Sequence, residues 1–442
     1  MPTDLNRHAV SVPRSGDLQS AVAAATERFR AANPKSLAQH VAATAVMPGG
    51  NTRTVLYHDP FPLTIARGDG CRLWDLDGHE YVDMLGEFTA GIFGHTNPVI
   101  RSAVLSALER GIDLSGHTVA EAELARLICD RFPTIARVRF TNSGTEANLM
   151  ALAAATAFTG RRQILVFQGG YHGAVLSFAR GRSVTNVPHD FIVSKYNDLA
   201  GTQRLIETHG DELAAILVEP MLGSGGCIPG DRRFLEALRD ASSACGAVLI
   251  FDEVMTSRLS TGGLQQALGI AADLTTLGKY LGGGLSFGAF GGRQDIMGQF
   301  DPRLPNALPH AGTFNNNIVT MSAGIAGLRN VLTRAAADAL NARGDALRRR
   351  LNAACSGRQL QFTGIGSLMC AHPVAGVIQT AADAAAVDPL LRDLLYFDML
   401  ERGFYLARRG FIALSLAIGD DEIRRFEEAV LAVLEHRTDF LA

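Results

Sequence analysis

The chain has 442 residues, of which 47% are hydrophobic and 19% charged, and its formal net charge is −3. That length exceeds what a single hydrophobic core usually serves, so one large unit and a smaller composite one are expected. The nearly neutral balance removes any electrostatic case for nucleic acid or an anionic membrane as partner, and leaves function to a local site.

The opening MPTDLNRHAVSVPRSGD lacks the apolar stretch of a signal peptide, and no window of about 18 apolar residues follows, so a cytoplasmic protein is expected. CRLWDLDGHEYVDM (71–84) reads as a hairpin turning at Asp77 and Gly78. From about residue 135 to 290, β-branched runs alternate with longer helical segments: ARVRFT (136–141), QILVF (163–167), DFIVSKY (190–196), AAILVEP (214–220), AVLIFDEV (247–254), ADLTTLG (272–278) and SFGAFGG (286–292). This alternation predicts an α/β fold built on a mainly parallel sheet covered on both faces. Alanine-rich patches at 335–342 and 381–386 predict helices. Each chain end looks incomplete by itself. Residues 1–90 and 330–442 are therefore expected to form one small α+β domain beside a large domain at 91–329. Six cysteines, at 71, 129, 227, 245, 355 and 370, have neither CxxC nor zinc-site spacing and read as reduced, with no metal implied.

Ligands of open α/β sheets bind beyond the carboxyl ends of the strands. The residues there are polar: Asn142, Ser143, Gln168, Glu219, Asp252 and Lys279. Lys279 lies in TTLGKYLGGGLSFGAFGG, with its nearest charged neighbours at Asp273 and Arg293. Either its stem packs while its head reaches water, or the amine is desolvated, lowered in pKa and available as a nucleophile toward carbonyl groups. TNSGTEANLM (141–150) passes from strand to helix, and Ser143, Gly144 and Thr145 present N–H groups and hydroxyls either as an ordinary cap or as a phosphate cradle. Asp252 ends an apolar strand and needs a positive partner; Glu253 beside it reads as surface decoration. A strand-end aspartate can cap the next element or face a protonated pyridine nitrogen. In GGYHG (169–173), glycines admit a ligand close to the backbone and Tyr171 could cover a planar ring. Together these residues supply each contact that a pyridine-ring aldehyde phosphate needs. A competing pattern, G-x-S-x-G around Ser286, lacks the strand-to-helix context of a hydrolase, although histidines follow at 310 and 372. No GxGxxG follows the first strand.

SGTEAN, YHG, FDEV and TLGKYLGGG with a following GAFGG resemble, in that order and over nearly the whole chain, the class III pyridoxal-phosphate aminotransferases of fold type I. MPGG (47–50), FDEVMTSR and the TLGK segment are similar to glutamate-1-semialdehyde aminomutases. A closer likeness, to bacterial aromatic β-amino acid (β-phenylalanine) aminotransferases, lies in MPGGNTRTVLY (47–57), FPLTIARGDG (61–70), GHTNP (94–98), FTNSGTEANLMAL (140–152), GTFNNN (312–317), FTGIGSLM (362–369) and RRGFIALSL (408–416).

The resemblance implies a fold type I transferase whose large domain carries a mainly parallel seven-stranded sheet. Its cofactor would be pyridoxal 5′-phosphate, held by Lys279 as a Schiff base, with Asp252 on the pyridine nitrogen, Val254 under the ring and Tyr171 above it. Ser143, Gly144 and Thr145 would hold the phosphate, with Thr313 reaching it from the second subunit of a homodimer. Arg53 and Arg409 would grip substrate carboxylates, the donor being a β-amino acid and the acceptor 2-oxoglutarate. Some positions depart from the families. Ser224 stands where the aminomutases usually have asparagine, and GTFNNN replaces their GTxxGNP. Phe88 and Phe93 stand where the β-phenylalanine enzymes usually have tyrosine, and Leu222 replaces a glutamine. Aminomutase chemistry is the alternative, and a hydrolase using Ser286 a remote one.

Overall fold

The computed structural model describes residues 15–442, so nearly all of the N-terminal stretch read for a leader lies outside the described residues. The central sheet has seven strands, in the order Arg137–Thr141, Gly288–Gly292, Leu274–Gly278, Val248–Asp252, Leu213–Val218, Gln163–Phe167 and Asp190–Ser194. Every run singled out in the sequence between 136 and 292 supplies one of these strands. Pairing is parallel from Leu274–Gly278 through to Asp190–Ser194, and Gly288–Gly292 runs antiparallel to both of its neighbours. Leu213–Val218 and Val248–Asp252 are buried along their whole length, which is why their sequences are apolar on both faces.

Helices cover both sides of the sheet. Gly144–Thr159 turns Ala147, Ala151, Leu152, Ala154 and Ala155 into the core and stops at Gly160, whose φ of 69° suits glycine. On the other face Arg232–Cys245 buries Phe234, Leu235 and Leu238; its first turn is capped by Asp231, whose side chain accepts the N–H groups of Arg233 and Phe234. The alanine-rich patches lie in Arg334–Ala354 and Ala381–Ala385, both helical.

The hairpin at 71–84 is present: Arg72–Asp75 pairs antiparallel with Glu80–Asp83. Glu80–Asp83 also pairs, in parallel, with Phe404–Tyr405, so one four-stranded sheet takes strands from both chain ends. A three-stranded sheet follows from Gln361–Ile365, Leu368–His372 and Phe411–Ala413. One apolar cluster contains Val82, Met84, Phe404 and Ile412 from the two ends together with Leu277, Tyr280 and Leu281, which flank Lys279. Burying each such large side chain contributes about 2 kcal/mol, so the chain ends help hold the lysine turn in place. Among the described residues no helix is long and apolar enough to cross a membrane. All six cysteines are free.

The antiparallel strand runs close to the chain leaving Arg137–Thr141. A Cβ added at Gly288 would overlap the carbonyl oxygen of Ser143 and the hydroxyl of Thr141, so only glycine fits there. Gly288→Ala is expected to cost about 1–3 kcal/mol by overpacking, read as a lower urea midpoint with unchanged m-value.

Candidate active site

The strand Leu274–Gly278 ends at the residue before Lys279, and Lys279 itself adopts a left-handed conformation, φ 55°. A non-glycine residue there costs about 1–3 kcal/mol and persists only where its surroundings over-determine it. They do: Tyr280 and Leu281 are fully buried beyond it, and Gly278 before it lies against Val254 and Gly144. Among the described residues the Lys279 amine has no hydrogen-bond or ion-pair partner. Burial pulls its pKa below the usual lysine value; Asp252 opposes that shift, Arg53 reinforces it, Glu87 opposes it and Arg409 reinforces it. Lys279 as a whole is half-buried, and the direction of the shift is the one that the desolvated-amine reading requires.

Asp252 closes the strand Val248–Asp252 and is only 4% exposed. Its Oδ2 lies 2.8 Å from His172 Nδ1 and accepts Asn148 Nδ2 at 2.8 Å; its Oδ1 accepts the N–H of Val254 at 3.0 Å. Its side-chain partners are thus Asn148 and the His172 of GGYHG. Asn148 is itself fixed: its amide also donates to the His172 carbonyl at 3.0 Å, and its Oδ1 accepts the Thr276 hydroxyl at 2.7 Å. Two other segments, through His172 and Asn148, therefore aim one carboxylate, and a third steadies Asn148 through Thr276. Oδ1, with a single backbone donor, keeps a lone pair for a further N–H.

The neighbouring Glu253 is not on the surface. It is fully buried and accepts the N–H groups of Leu264 and Gln265 and the Thr256 hydroxyl, each at 2.8 Å, which caps the helix Gly263–Leu268. Sequence position beside a strand end gave no sign that the chain would double back to bury it.

At the start of the helix Gly144–Thr159, Ser143 Oγ accepts the N–H of Glu146 at 3.2 Å. The N–H groups of Gly144 and Thr145 find no acceptor among the described residues and sit at the positive end of the helix dipole. Val254 packs between this turn and the lysine turn: a Cβ at Gly144 would come 2.8 Å from one Val254 methyl, and a Cβ at Gly278 3.2 Å from the other. Thr145 in turn abuts Gly173, where a Cβ would overlap its side chain. The Tyr171 ring is exposed, while its N–H donates to Glu219 Oε1 at 2.9 Å. Glu219 is buried, its Oε2 accepting the Gly223 N–H at 2.9 Å. Burial first, then Asp252, push its pKa up to about 7 against the lowering effect of His172.

Both arginines lie against one aromatic ring. The guanidinium carbon of Arg409 is 5.1 Å, and that of Arg53 5.4 Å, from the centroid of Phe88. Arg409 also lies 5.8 Å from the Phe411 centroid, and burial lowers its pKa. It has no ion-pair partner among the described residues, whereas Arg53 is paired with Glu87. Thr313 is not brought to the lysine cluster within the chain; it is exposed in a surface groove of about 550 Å³ that also includes Leu114, Gly116 and Asn316. Ser286 is exposed, and neither histidine after it serves it: His310 contacts Arg139 and Asn315, and His372 contacts Thr363 and the Gly226 carbonyl.

The residues fit a planar, pyridine-like ring bearing an aldehyde and a phosphate. An uncommitted, half-buried amine, a braced carboxylate with a free lone pair, and two open N–H groups at a helix start are what those three functions require. Glu219, Asn148, Thr276 and Glu87 were not singled out as site residues from sequence; only Glu219, polar at the end of an apolar strand, left a trace of its position.

Residues 56–371 match the model of the family described as aminotransferase class-III. The chain is 57% identical over 415 residues to a β-phenylalanine transaminase of Variovorax paradoxus, covering 93% of this chain and 95% of that one. A solved structure of a β-phenylalanine aminotransferase from Variovorax paradoxus superposes with a TM-score of 0.95 at 56% identity, over 96% of this chain and 99% of the other. A glutamate-1-semialdehyde 2,1-aminomutase of Pelotomaculum thermopropionicum is 37% identical over 418 residues, 89% of this chain and 96% of its own.

Glu219 yields a pH test. A carboxyl whose folded pKa lies near 7 binds its proton more tightly in the native than in the unfolded chain, where the value is about 4.5. Its stabilising contribution is present below the unfolded pKa and lost as pH rises through about 7. The stability advantage of the wild type over Glu219→Gln should therefore shrink, by up to roughly 3 kcal/mol, between about pH 5 and pH 8 in urea titrations.

Proposed function

The chain belongs to the class-III aminotransferases, whose cofactor is pyridoxal 5′-phosphate, and we propose that it moves the amino group of a β-amino acid, aromatic as in β-phenylalanine, to 2-oxoglutarate. The products are a β-keto acid and glutamate. The observation that carries the reading is the pair of guanidinium groups on the Phe88 ring, both within electrostatic reach of the Lys279 amine. Two carboxylate-binding groups suit a dicarboxylate acceptor, and one suffices for the carboxylate of the donor. The 57% identity to a β-phenylalanine transaminase supports the donor class.

In this reading Lys279 carries the cofactor, Asp252 holds its pyridine nitrogen, Val254 lies under the ring and Tyr171 above it. Ser143, Gly144 and Thr145 hold the phosphate. Thr313, exposed in this chain, reaches the same phosphate in the second copy of a homodimer. The protein works in the cytoplasm, and the chain divides into a large cofactor-binding domain at 91–329 and a small domain from 1–90 and 330–442. The shared sheet of Glu80–Asp83 and Phe404–Tyr405 supports that division.

When bound, the cofactor supplies an aldehyde that condenses with amines and a protonated ring that draws electrons from the substrate carbon. The protein residues do the rest. The Lys279 amine, its pKa lowered by burial, takes the proton from the amine-bearing carbon of the substrate. Asp252, braced by His172 and Asn148, offers its carboxylate to the ring nitrogen. Arg53 and Arg409 fix the substrate carboxylates and so decide which C–H bond faces the lysine.

The reading has direct tests. Lys279→Ala is expected to abolish both amino transfer and the visible absorbance of the bound cofactor; retention of that absorbance on gel filtration would refute the lysine assignment. β-Phenylalanine should convert 2-oxoglutarate to glutamate, whereas isomerisation of glutamate-1-semialdehyde without that transfer would favour the aminomutase alternative. Arg53→Gln and Arg409→Gln should each raise the KM of carboxylate substrates on the order of 10- to 100-fold, as expected for a charge-assisted hydrogen bond, and affect the neutral amine 1-phenylethylamine far less. Equal losses on both substrate types would sink that role.

A further inference from the structure

The two arginines differ in what they hold. Arg409 has no carboxylate beside it among the described residues, but Arg53 is paired with Glu87 of its own chain. Glu87 sits on an unusual piece of backbone: Gly86, Glu87, Phe88 and Thr89 have φ values of 54°, 46°, 50° and 87°, a left-handed turn with three successive non-glycine residues. Such a turn does not persist by local preference; it must be held from outside.

The surroundings hold it at both ends. Asp83 Oδ1 accepts the N–H groups of Leu85 and Gly86, each at 2.9 Å, and the Met84 carbonyl accepts the Ala413 N–H at 2.8 Å. A side chain at Gly86 would meet the Ala413 carbonyl at 2.9 Å. The Thr89 carbonyl accepts from Arg258 at 3.4 Å, and the same guanidinium donates to the Leu414 carbonyl. Arg258 is wholly buried and has no counter-ion among the described residues, so its charge is balanced only by carbonyl dipoles. It ties the turn carrying Glu87 and Phe88 to the strand after Arg409. The turn therefore places two groups at once: the Phe88 ring within reach of both arginines and the Glu87 carboxylate on Arg53, while the Arg409 guanidinium stays open.

We propose that Glu87 is a specificity-determining residue, an internal carboxylate that occupies Arg53 until a substrate carboxylate displaces it. The inference rests on Arg53 being a substrate carboxylate site. A first carboxylate can settle on Arg409 without a competitor. A second must exchange with Glu87 at Arg53, so the number of ion pairs is the same before and after. The side chains of Arg53 and Glu87 are 42% and 60% exposed, so the internal pair is weak enough to open. Glu87 thereby discounts the affinity for dicarboxylates, which keeps the product glutamate and the acceptor from binding too tightly to leave.

The test uses glutarate, a dicarboxylate without an amine or keto group, titrated calorimetrically into the cofactor-loaded enzyme. Glu87→Gln should bind glutarate about two- to fivefold more tightly than wild type, the range expected for removing one exposed ion pair. Its affinity should also fall more steeply with salt, because binding then creates a pair rather than exchanging one. Glu87→Asp, which keeps the charge but shortens its reach and tolerates the left-handed conformation, should tighten binding too, and serves if the glutamine variant does not fold. In an Arg53→Gln background the substitution at 87 should have no such effect. Unchanged or weaker glutarate binding by both Glu87 variants, with Arg53→Gln still weakening it, would overturn the proposal and make Glu87 an orienting partner of Arg53. If Arg53→Gln leaves glutarate binding intact, the reading of Arg53 itself fails, a result distinct from the first.

Discussion

A carboxylate buried at the tip of an all-apolar strand is the constraint on which the rest of this site depends. Asp252 cannot be left dry and unpartnered, and His172, Asn148 and the Val254 N–H all point to it. Two of those partners are held in turn: Asn148 by Thr276, and the backbone next to His172 by Glu219 through Tyr171. The network reaches the phosphate-type helix start, the aromatic loop and the strand before Lys279. Bracing one carboxylate thus ties together the helix that starts at Gly144, the aromatic loop and the strand that leads to Lys279.

The opposite polarity governs Lys279. Its amine is desolvated and uncommitted, with two arginines within electrostatic reach reinforcing the loss of its proton and two carboxylates opposing it. A lysine whose pKa is lowered by burial is an arrangement that full solvation would erase, since water stabilises the charged form. The fold prevents that by folding chain ends over the lysine turn: residues from the first ninety and the last hundred or so share an apolar cluster with Leu277, Tyr280 and Leu281. Stability and chemistry therefore draw on the same packing, and the left-handed backbone at Lys279 is one cost of that placement.

Much of this was legible along the chain because it is local. Strands announce themselves by unbroken apolar runs, so QILVF coincides with the strand Gln163–Phe167, and AVLIFDEV contains Val248–Asp252. The run overshoots its strand because the Asp252 carboxylate turns back onto the Val254 N–H, a bond that hydrophobicity does not encode. Lys279 stood out through the lack of charge around it, and the Ser143 turn through its cap. Glu253 was misread as surface for the reason that its partners, Leu264 and Gln265, lie a turn and a loop further on.

What the sequence determined by itself was which segments are strands and helices, which family pattern the motifs follow, and which polar residues stand at strand ends. All of these depend on neighbours a few residues apart. Only the tertiary structure decided that His172 partners Asp252 across 80 residues, that Arg53 and Arg409 share the Phe88 ring, and that Glu87 holds the first and leaves the second open. Those pairings follow from where packed elements meet in space, and the strength of a charge interaction is set by distance and burial at that meeting point rather than by position along the chain.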